Sequence, residues 1–218
     1  MNHLLAGMSR FQTDVFPMQK HLYEQLASGQ QPHTLFIGCS DARLVPNDML
    51  QAGPGELFIC RNAGNIVPPH GDSLGGVSAT VEYAVEVLKV RHIVVCGHSD
   101  CGAMRAVMNP AKVQHLRAVA RWIRHAERVS AVAKELHGDA NDHDFLNRLI
   151  EENVIAQLDN LATHPCVAAK LRSDSLLLHG LVFDIPSGAF SILDRKQNTF
   201  TSLSTVMSQQ LQGVMADV

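Results

Sequence analysis

Apolar residues along the chain fall into two alternating patterns: short unbroken runs, and longer stretches that repeat every three or four positions. The runs are Thr34 to Gly38, Leu57 to Cys60, His92 to Cys96 and Leu176 to Asp184, each rich in strand-forming side chains. Runs without in-and-out alternation predict strands covered on both faces, the habit of parallel sheets. Pro186-Ser-Gly188 turns the last run into Ala189 to Leu193, which predicts an antiparallel edge strand. The stepped stretches predict helices. Ser78 to Lys89 places Val81, Ala84, Val85 and Leu88 on one face, as a crossover between the second and third strands requires. Helical patterns also cover Val113 to Leu136 and Phe145 to Leu161, after the break at Asn109-Pro110 and on either side of the polar loop HGDANDHD. From Met8 to Ala27, Phe11, Val15, Met18, Leu22 and Leu26 recur at helical steps, predicting an amphipathic arm interrupted near Pro17.

These elements predict an α/β fold: a mostly parallel central sheet of about four strands plus an antiparallel edge strand, flanked by helices, with an N-terminal helical arm. No Gly/Ser-rich or charged linker divides the 218 residues, so 1–218 reads as one domain: arm 1–30, α/β core 31–195, C-terminal tail 196–218. With 46% hydrophobic but only 5% aromatic residues, the core must be aliphatic. A formal charge of −3 leaves no electrostatic footprint for nucleic acid or an anionic membrane, so a small or neutral partner is expected. No run approaches the ~18 apolar residues of a membrane span, and MNHLLAGMSR lacks a signal peptide's apolar stretch, which makes the cytoplasm the expected location.

Ligands of parallel sheets bind beyond the strands' carboxyl ends. Cys39 and His98 stand immediately after two such ends, so two separated motifs can converge there. Five cysteines, an odd number, argue for reduced thiols over a disulfide framework. Cys60, Cys96 and Cys166 read as small buried hydrophobes, whereas polar and ionisable residues surround Cys39 and Cys101. His98-Ser-Asp-Cys101 offers two zinc ligands from one turn and Cys39 a third; three protein ligands with one exchangeable position, for water or a carboxylate, describe a catalytic zinc site. A redox dithiol is the alternative, although no C-x-x-C spacing supports it. Asp41 and Arg43, at alternate positions after Cys39, can pair so that the carboxylate orients a metal-bound hydroxide; a surface salt bridge is the competing reading. Gly102 follows the last ligand at an expected helix start, where backbone N–H groups favour an anion and the missing side chain allows close approach.

The segments CSDARLVP, PGELFICRNAGNIVPP, GGVSATVEYA and VVCGHSDCGAM, with ENVIAQLDNLATHP and LHGLVFDIPSG, together resemble the β-class carbonic anhydrases over about Phe11 to Asp194. The resemblance implies reversible hydration of CO2 to bicarbonate and a proton, with one Zn2+ per subunit on Cys39, His98 and Cys101 and an Asp41–Arg43 dyad orienting the attacking hydroxide. It implies that Gln30 hydrogen-bonds the substrate and that Phe58, Ala63 and Tyr83 line a small CO2 pocket, partly from a partner subunit. It further implies a homodimer embraced by the helical arms, in some members paired into a homotetramer. Closed forms of the family, in which the Asp leaves its Arg for the metal, make Asp41 a candidate fourth ligand.

Some positions depart from the pattern. Family members regulated by a second bicarbonate use a Trp and a Tyr where this chain has Phe36 and Phe183; Arg61 remains, and the reading here is structural, held by nearby carbonyls. Two rival functions share parts of the motif: a zinc hydrolase of another small heterocumulene such as CS2, and a non-catalytic zinc or bicarbonate sensor. The second is disfavoured by the presence of both Asp41 and Arg43. Gly71-Asp-Ser-Leu-Gly75-Gly76 lacks the Lys and the spacing of a phosphate loop. Apart from His98 and His179, the twelve histidines show no ligand-like spacing and are expected on solvated faces.

Overall fold

The structure, a computed structural model, describes residues 1–72 and 75–216, with side chains through 209. Ser73 and Leu74 of the glycine-rich loop, and Asp217 and Val218, lie outside the described residues. The sheet has six strands in the order β2-β1-β3-β4-β5-β6. They are β1 Thr34–Cys39, β2 Leu57–Asn62, β3 His92–His98, β4 Leu177–Asp184, β5 Ala189–Asp194 and β6 Thr199–Ser202. The first four pair in parallel and the last two antiparallel. The mostly parallel sheet expected from the unbroken apolar runs is present, and each expected strand is there.

The sixth strand corrects the sequence reading, which left it in a tail. Its residues, Thr-Phe-Thr-Ser, bring one apolar side chain and no run. What builds it is the turn before it: the Asp194 carboxylate accepts from the N–H groups of Lys196 and Gln197 at 2.8 and 3.3 Å, folding the chain back onto β5. Helix α10, Leu203–Ala216, follows.

The helices are α1 Asn2–Arg10, α2 Phe16–Leu26, α3 Pro46–Leu50, α4 Gly76–Glu82, α5 Gly102–Met108, α6 Arg117–Ile123, α7 Glu127–His137, α8 Asp142–Thr163 and α9 Pro165–Arg172. In the arm, α1 and α2 join through a π-helical turn over Phe11–Val15, where Phe16 N–H bonds the Phe11 carbonyl. Pro17 causes it: with no N–H of its own it cannot continue the four-residue ladder. No residue of α1 or α2 is buried, and Met18 is 88% exposed.

The single long helix expected over Val113 to Leu136 is instead α6, a 3-10 turn at Arg124–Ala126, and α7. Ala126 adopts φ −108° and ψ 9°, and the bend turns Ile123, Ala126, Val129 and Ala133 all into the core. A straight helix would have carried part of that stripe away from it.

Helix α8 is the central support. Its N-cap Asn141 accepts from the N–H groups of His143 and Asp144, both at 3.1 Å. Val154, Leu158 and Leu161 pack on Leu35, Ile37, Ile93, Val95 and Leu178 from the sheet. The approach is close because β3 and β4 present glycine there. A Cβ on Gly97 would stand 2.9 Å from Val154 Cγ2, and one on Gly180 2.9 Å from Val154 Cγ1.

Candidate metal centre

Cys39 ends β1 and His98 ends β3, and the two strands are neighbours in parallel register. Cys101, three residues past His98, is the N-cap of α5. All three are sealed from solvent, at 6%, 0% and 1% exposure. Their ligand atoms lie within 4.8 Å of one another, and the two sulfurs are 4.0 Å apart. On a tetrahedral zinc with Zn–S near 2.3 Å two sulfurs stand about 3.8 Å apart. The His98 ring is oriented by the Ser99 carbonyl, which accepts from Nδ1 at 2.9 Å, leaving Nε2 as the bare acceptor. That Nε2 is buried and has no hydrogen-bond partner. A buried lone pair facing two thiols is what a metal ion satisfies, so the donor set fits zinc.

The electrostatics agree. The Cys101 thiol donates to Cys39 and holds its pKa well below the usual thiol range against the effect of burial, with help from the Gly64 N–H at 3.4 Å. Cys101 is pushed up in turn, first by that shared hydrogen bond and then by its own burial. One proton is therefore left on the pair for a metal to displace.

Asp41 and Arg43 are brought together as their spacing suggested. Arg43 donates to the Asp41 carboxylate from Nε at 2.9 Å, from Nη2 at 2.8 Å and from its backbone N–H at 3.0 Å. These bonds hold the Asp41 carboxyl far below the usual carboxylate range. Asp41 Oδ2 is 3.9 Å from His98 Nε2. Arg61 braces the same turn from below, donating to the carbonyls of Cys39 at 2.9 Å and Asp41 at 2.6 Å. Its guanidinium is thus engaged by backbone, the structural role expected of it, while Phe36 is fully buried and Phe183 packs on Phe190 with ring centroids 5.0 Å apart.

A second support comes from α8. Asn153 donates to the Gly64 carbonyl at 3.0 Å, Gln157 accepts from the Val67 N–H at 2.8 Å, and Asn160 donates to the Val67 carbonyl at 2.9 Å. Gln157 also donates to Asn153 at 2.9 Å, and the His164 ring meets the Pro68 carbonyl at 3.0 Å. This ladder fastens residues 64–68, and with them the Gly64 N–H that faces Cys39. Sequence reasoning missed it, although amides at 153, 157 and 160 form a polar stripe at helical spacing within an apolar helix. Asp100, which joins Arg43 to Arg105, was missed too.

The remaining candidates divide between the two ends of the sheet. Ala63 lies at the thiol end, its carbonyl accepting from Trp122 Nε1 at 2.8 Å, and Gly102 opens α5 with nothing within 4 Å of where its side chain would be. Phe58 pairs with Leu35 near the start of β1, and Tyr83 stands against it with ring centroids 5.9 Å apart. Gln30 lines a cavity with His33, Lys89 and Arg91, also before the strands begin. The length of β1, about 16 Å, separates this end from Cys39, so one chain does not bring these three to its own thiols. The histidine expectation also needs correcting: His164 is buried, and His92 Nδ1 meets His179 Nε2 at 3.0 Å.

Residues 34–190 match the family described as carbonic anhydrase. The carbonic anhydrase of Pseudomonas aeruginosa is 52% identical over 204 residues, 94% of this chain and 92% of its own. Among solved structures, that of the β-carbonic anhydrase CcaA superposes with a TM-score of 0.91 at 37% identity, covering 93% of this chain and 98% of that one. One of two tetrameric β-carbonic anhydrases from Sordaria macrospora gives 0.73 at 32% identity, over 92% of this chain and 94% of its own.

Proposed function

The chain belongs to the β-class carbonic anhydrases, and we propose that it hydrates CO2 reversibly to bicarbonate and a proton with one zinc ion held by Cys39, His98 and Cys101. The observation that carries the metal assignment is the buried His98 Nε2, partnerless between two thiols whose separation suits tetrahedral zinc. Bound there, zinc supplies a Lewis acid that makes water a nucleophile near neutral pH. Two thiolates neutralise its charge formally, which weakens that effect and gives the surrounding residues more to do.

In this reading Asp41 accepts a hydrogen bond from the reacting water and points its lone pair at CO2. Arg43 keeps that carboxylate ionised and fixes its plane through the two-point contact. Gly102 leaves room for product oxygen beside the α5 backbone. Ala63 forms a small apolar wall, suited to a linear, nonpolar substrate.

Gln30, Phe58 and Tyr83 serve the site of a second copy in this proposal. Residues 1–30 form an arm with Leu4, Leu5, Met8 and Met18 exposed, the surface an embracing partner would cover. Tyr83 is 45% exposed beside Phe58, which suits a residue offered across an interface. We take the unit to be a homodimer, with a homotetramer as the larger assembly to test for, since the two Sordaria relatives are tetrameric. We place it in the cytoplasm, in keeping with five cysteines that are all free thiols. Among the described residues no helix is long and apolar enough to cross a membrane.

The test is stopped-flow CO2 hydration on protein of known zinc content, with Asp41→Asn and Cys101→Ser alongside and the oligomer measured by light scattering. Zinc-loaded protein that hydrates no faster than buffer would sink the enzyme reading. A Gln30→Ala protein with full activity would remove the shared-site part.

A further inference from the structure

Asp100 stands between the two ligands of the His98–Cys101 turn in a left-handed backbone conformation, φ 57°. Its carboxylate joins two guanidinium groups. Oδ2 accepts from Arg43 Nη1 at 3.3 Å and Oδ1 from Arg105 Nε at 2.6 Å, while the Asp100 carbonyl accepts from Arg43 Nη2 at 3.2 Å. Arg43 turns its Nε–Nη2 edge to Asp41 and its outer Nη1 to the Asp100 carboxylate. The four side chains form a row of alternating charge, Asp41–Arg43–Asp100–Arg105.

The row has a mechanical consequence. The Arg43 side chain is 45% exposed, so packing covers its long stem only in part, and its contact with Asp41 alone anchors one edge of the guanidinium. Asp100 supplies the second anchor, and Arg105 holds Asp100. Asp41 Oδ2 is only 3.9 Å from His98 Nε2, so a carboxylate released by Arg43 can turn onto whatever the three ligands hold. Three protein ligands and a carboxylate would complete a four-coordinate set, leaving no position for a second small ligand.

We propose that Asp100, braced by Arg105, is a positioning residue that latches Arg43 and so keeps Asp41 off the metal position. This rests on the function proposed above and adds the device that selects the accessible form of the site. The latch acts on a population: every ligand that needs the accessible form binds more weakly in proportion to the fraction of protein holding that form. Substrate turnover and the affinity for an unrelated small anion must therefore change by the same factor.

The test uses Asp100→Asn, since Asn tolerates left-handed backbone while removing the charge and one of the two acceptors that hold the guanidinium groups, and Arg105→Gln, which leaves the turn between the ligands untouched. Each protein is loaded with cobalt(II) and titrated with azide by visible absorption, while kcat/KM is measured on the zinc form. With metal content and thermal midpoint unchanged, D100N should lose about tenfold in azide affinity and the same factor in kcat/KM, as loss of one charge-assisted bond would give. R105Q should move both in the same direction by less. Crystals of zinc-loaded D100N should show Asp41 turned from Arg43. Wild-type azide affinity in both variants overturns the latch, and so does a loss of turnover with azide binding unchanged. A wild-type protein that binds zinc and azide without hydrating CO2 counts against the proposed function, and the azide comparison still decides the latch.

Discussion

Truncating Asn153 to Ala tests whether α8 supports the metal centre or merely lies under it. The side chain is 1% exposed and makes two bonds, donating to the Gly64 carbonyl at 3.0 Å and accepting from Gln157 at 2.9 Å. Alanine leaves a buried carbonyl and a buried amide without these partners, at ~1–3 kcal/mol each, or about 3 kcal/mol in all if water relieves part of the loss. For a chain of this size each kcal/mol lowers the midpoint by ~2–4 °C, so a drop of about 6–12 °C is expected by calorimetry on zinc-loaded protein. A second effect is local. Gly64 N–H faces Cys39 Sγ at 3.4 Å, so loosening the loop withdraws a donor from a ligand, and zinc release to a chelator should quicken by about 10–100-fold. Asn160→Ala is the control: its amide holds Val67, three residues further along, so stability falls while zinc release keeps its rate. A midpoint within ~2 °C of wild type would refute the magnitude. Equal zinc release in the two variants would refute the link from α8 to the ligand.

Three further outcomes are expected. Gly180→Ala should lower stability by ~1–3 kcal/mol in thermal unfolding, because its methyl would stand 2.9 Å from Val154 Cγ1 and 3.0 Å from Leu193 Cβ, both in the core. After metal is stripped, Cys39 should be alkylated ahead of Cys96, whose thiol burial pushes up to about 12, as read by mass spectrometry; equal labelling of the two would be wrong for this site. The His179 pKa is held below 6.5, first by burial and then by the neighbouring His92. The unfolded chain therefore binds more protons there, so this contribution to stability is full above pH 6.5 and is lost as pH falls toward the lowered pKa. His179→Asn should flatten the loss of stability between pH 7.5 and 5.5 compared with the parent, and an unchanged slope would contradict the assignment.

The parts of the molecule that sequence made plain are those where one residue type has one physical reason to be there. Continuous aliphatic runs ending abruptly in Cys39 and His98 require buried parallel strands with ligands at their tips, and the structure has both. Asp41 and Arg43 do pair, but a turn brings them together where an extended backbone was expected: Leu44 N–H bonds the Asp41 carbonyl at 3.1 Å and Arg43 N–H the Asp41 carboxylate at 3.0 Å. What escaped depends on partners distant in the chain. Asn153, Gln157 and Asn160 look like surface amides until the segment they fasten, almost 90 residues earlier, is laid against them. Asp100 looks like a turn residue until Arg43 arrives from the turn after β1. The bend at Ala126 leaves no breaker in the sequence, since packing of Ile123 and Val129 dictates it and local preference does not. His92 and His179 meet because β3 and β4 are adjacent, a neighbourhood that no local pattern encodes.

The pairing of β1 with β3 also sets an order of events during synthesis. Cys39 is made early and His98 much later, and the crossover through β2 and α4 must close before the two strand ends become neighbours. Contacts of that sequence separation form late and slowly. The nascent chain consequently carries the Cys39 thiol with no site to offer a metal until at least Cys101 has been made, and capture waits until the sheet has assembled. Zinc supply in the cell should then govern how much of the folded protein works.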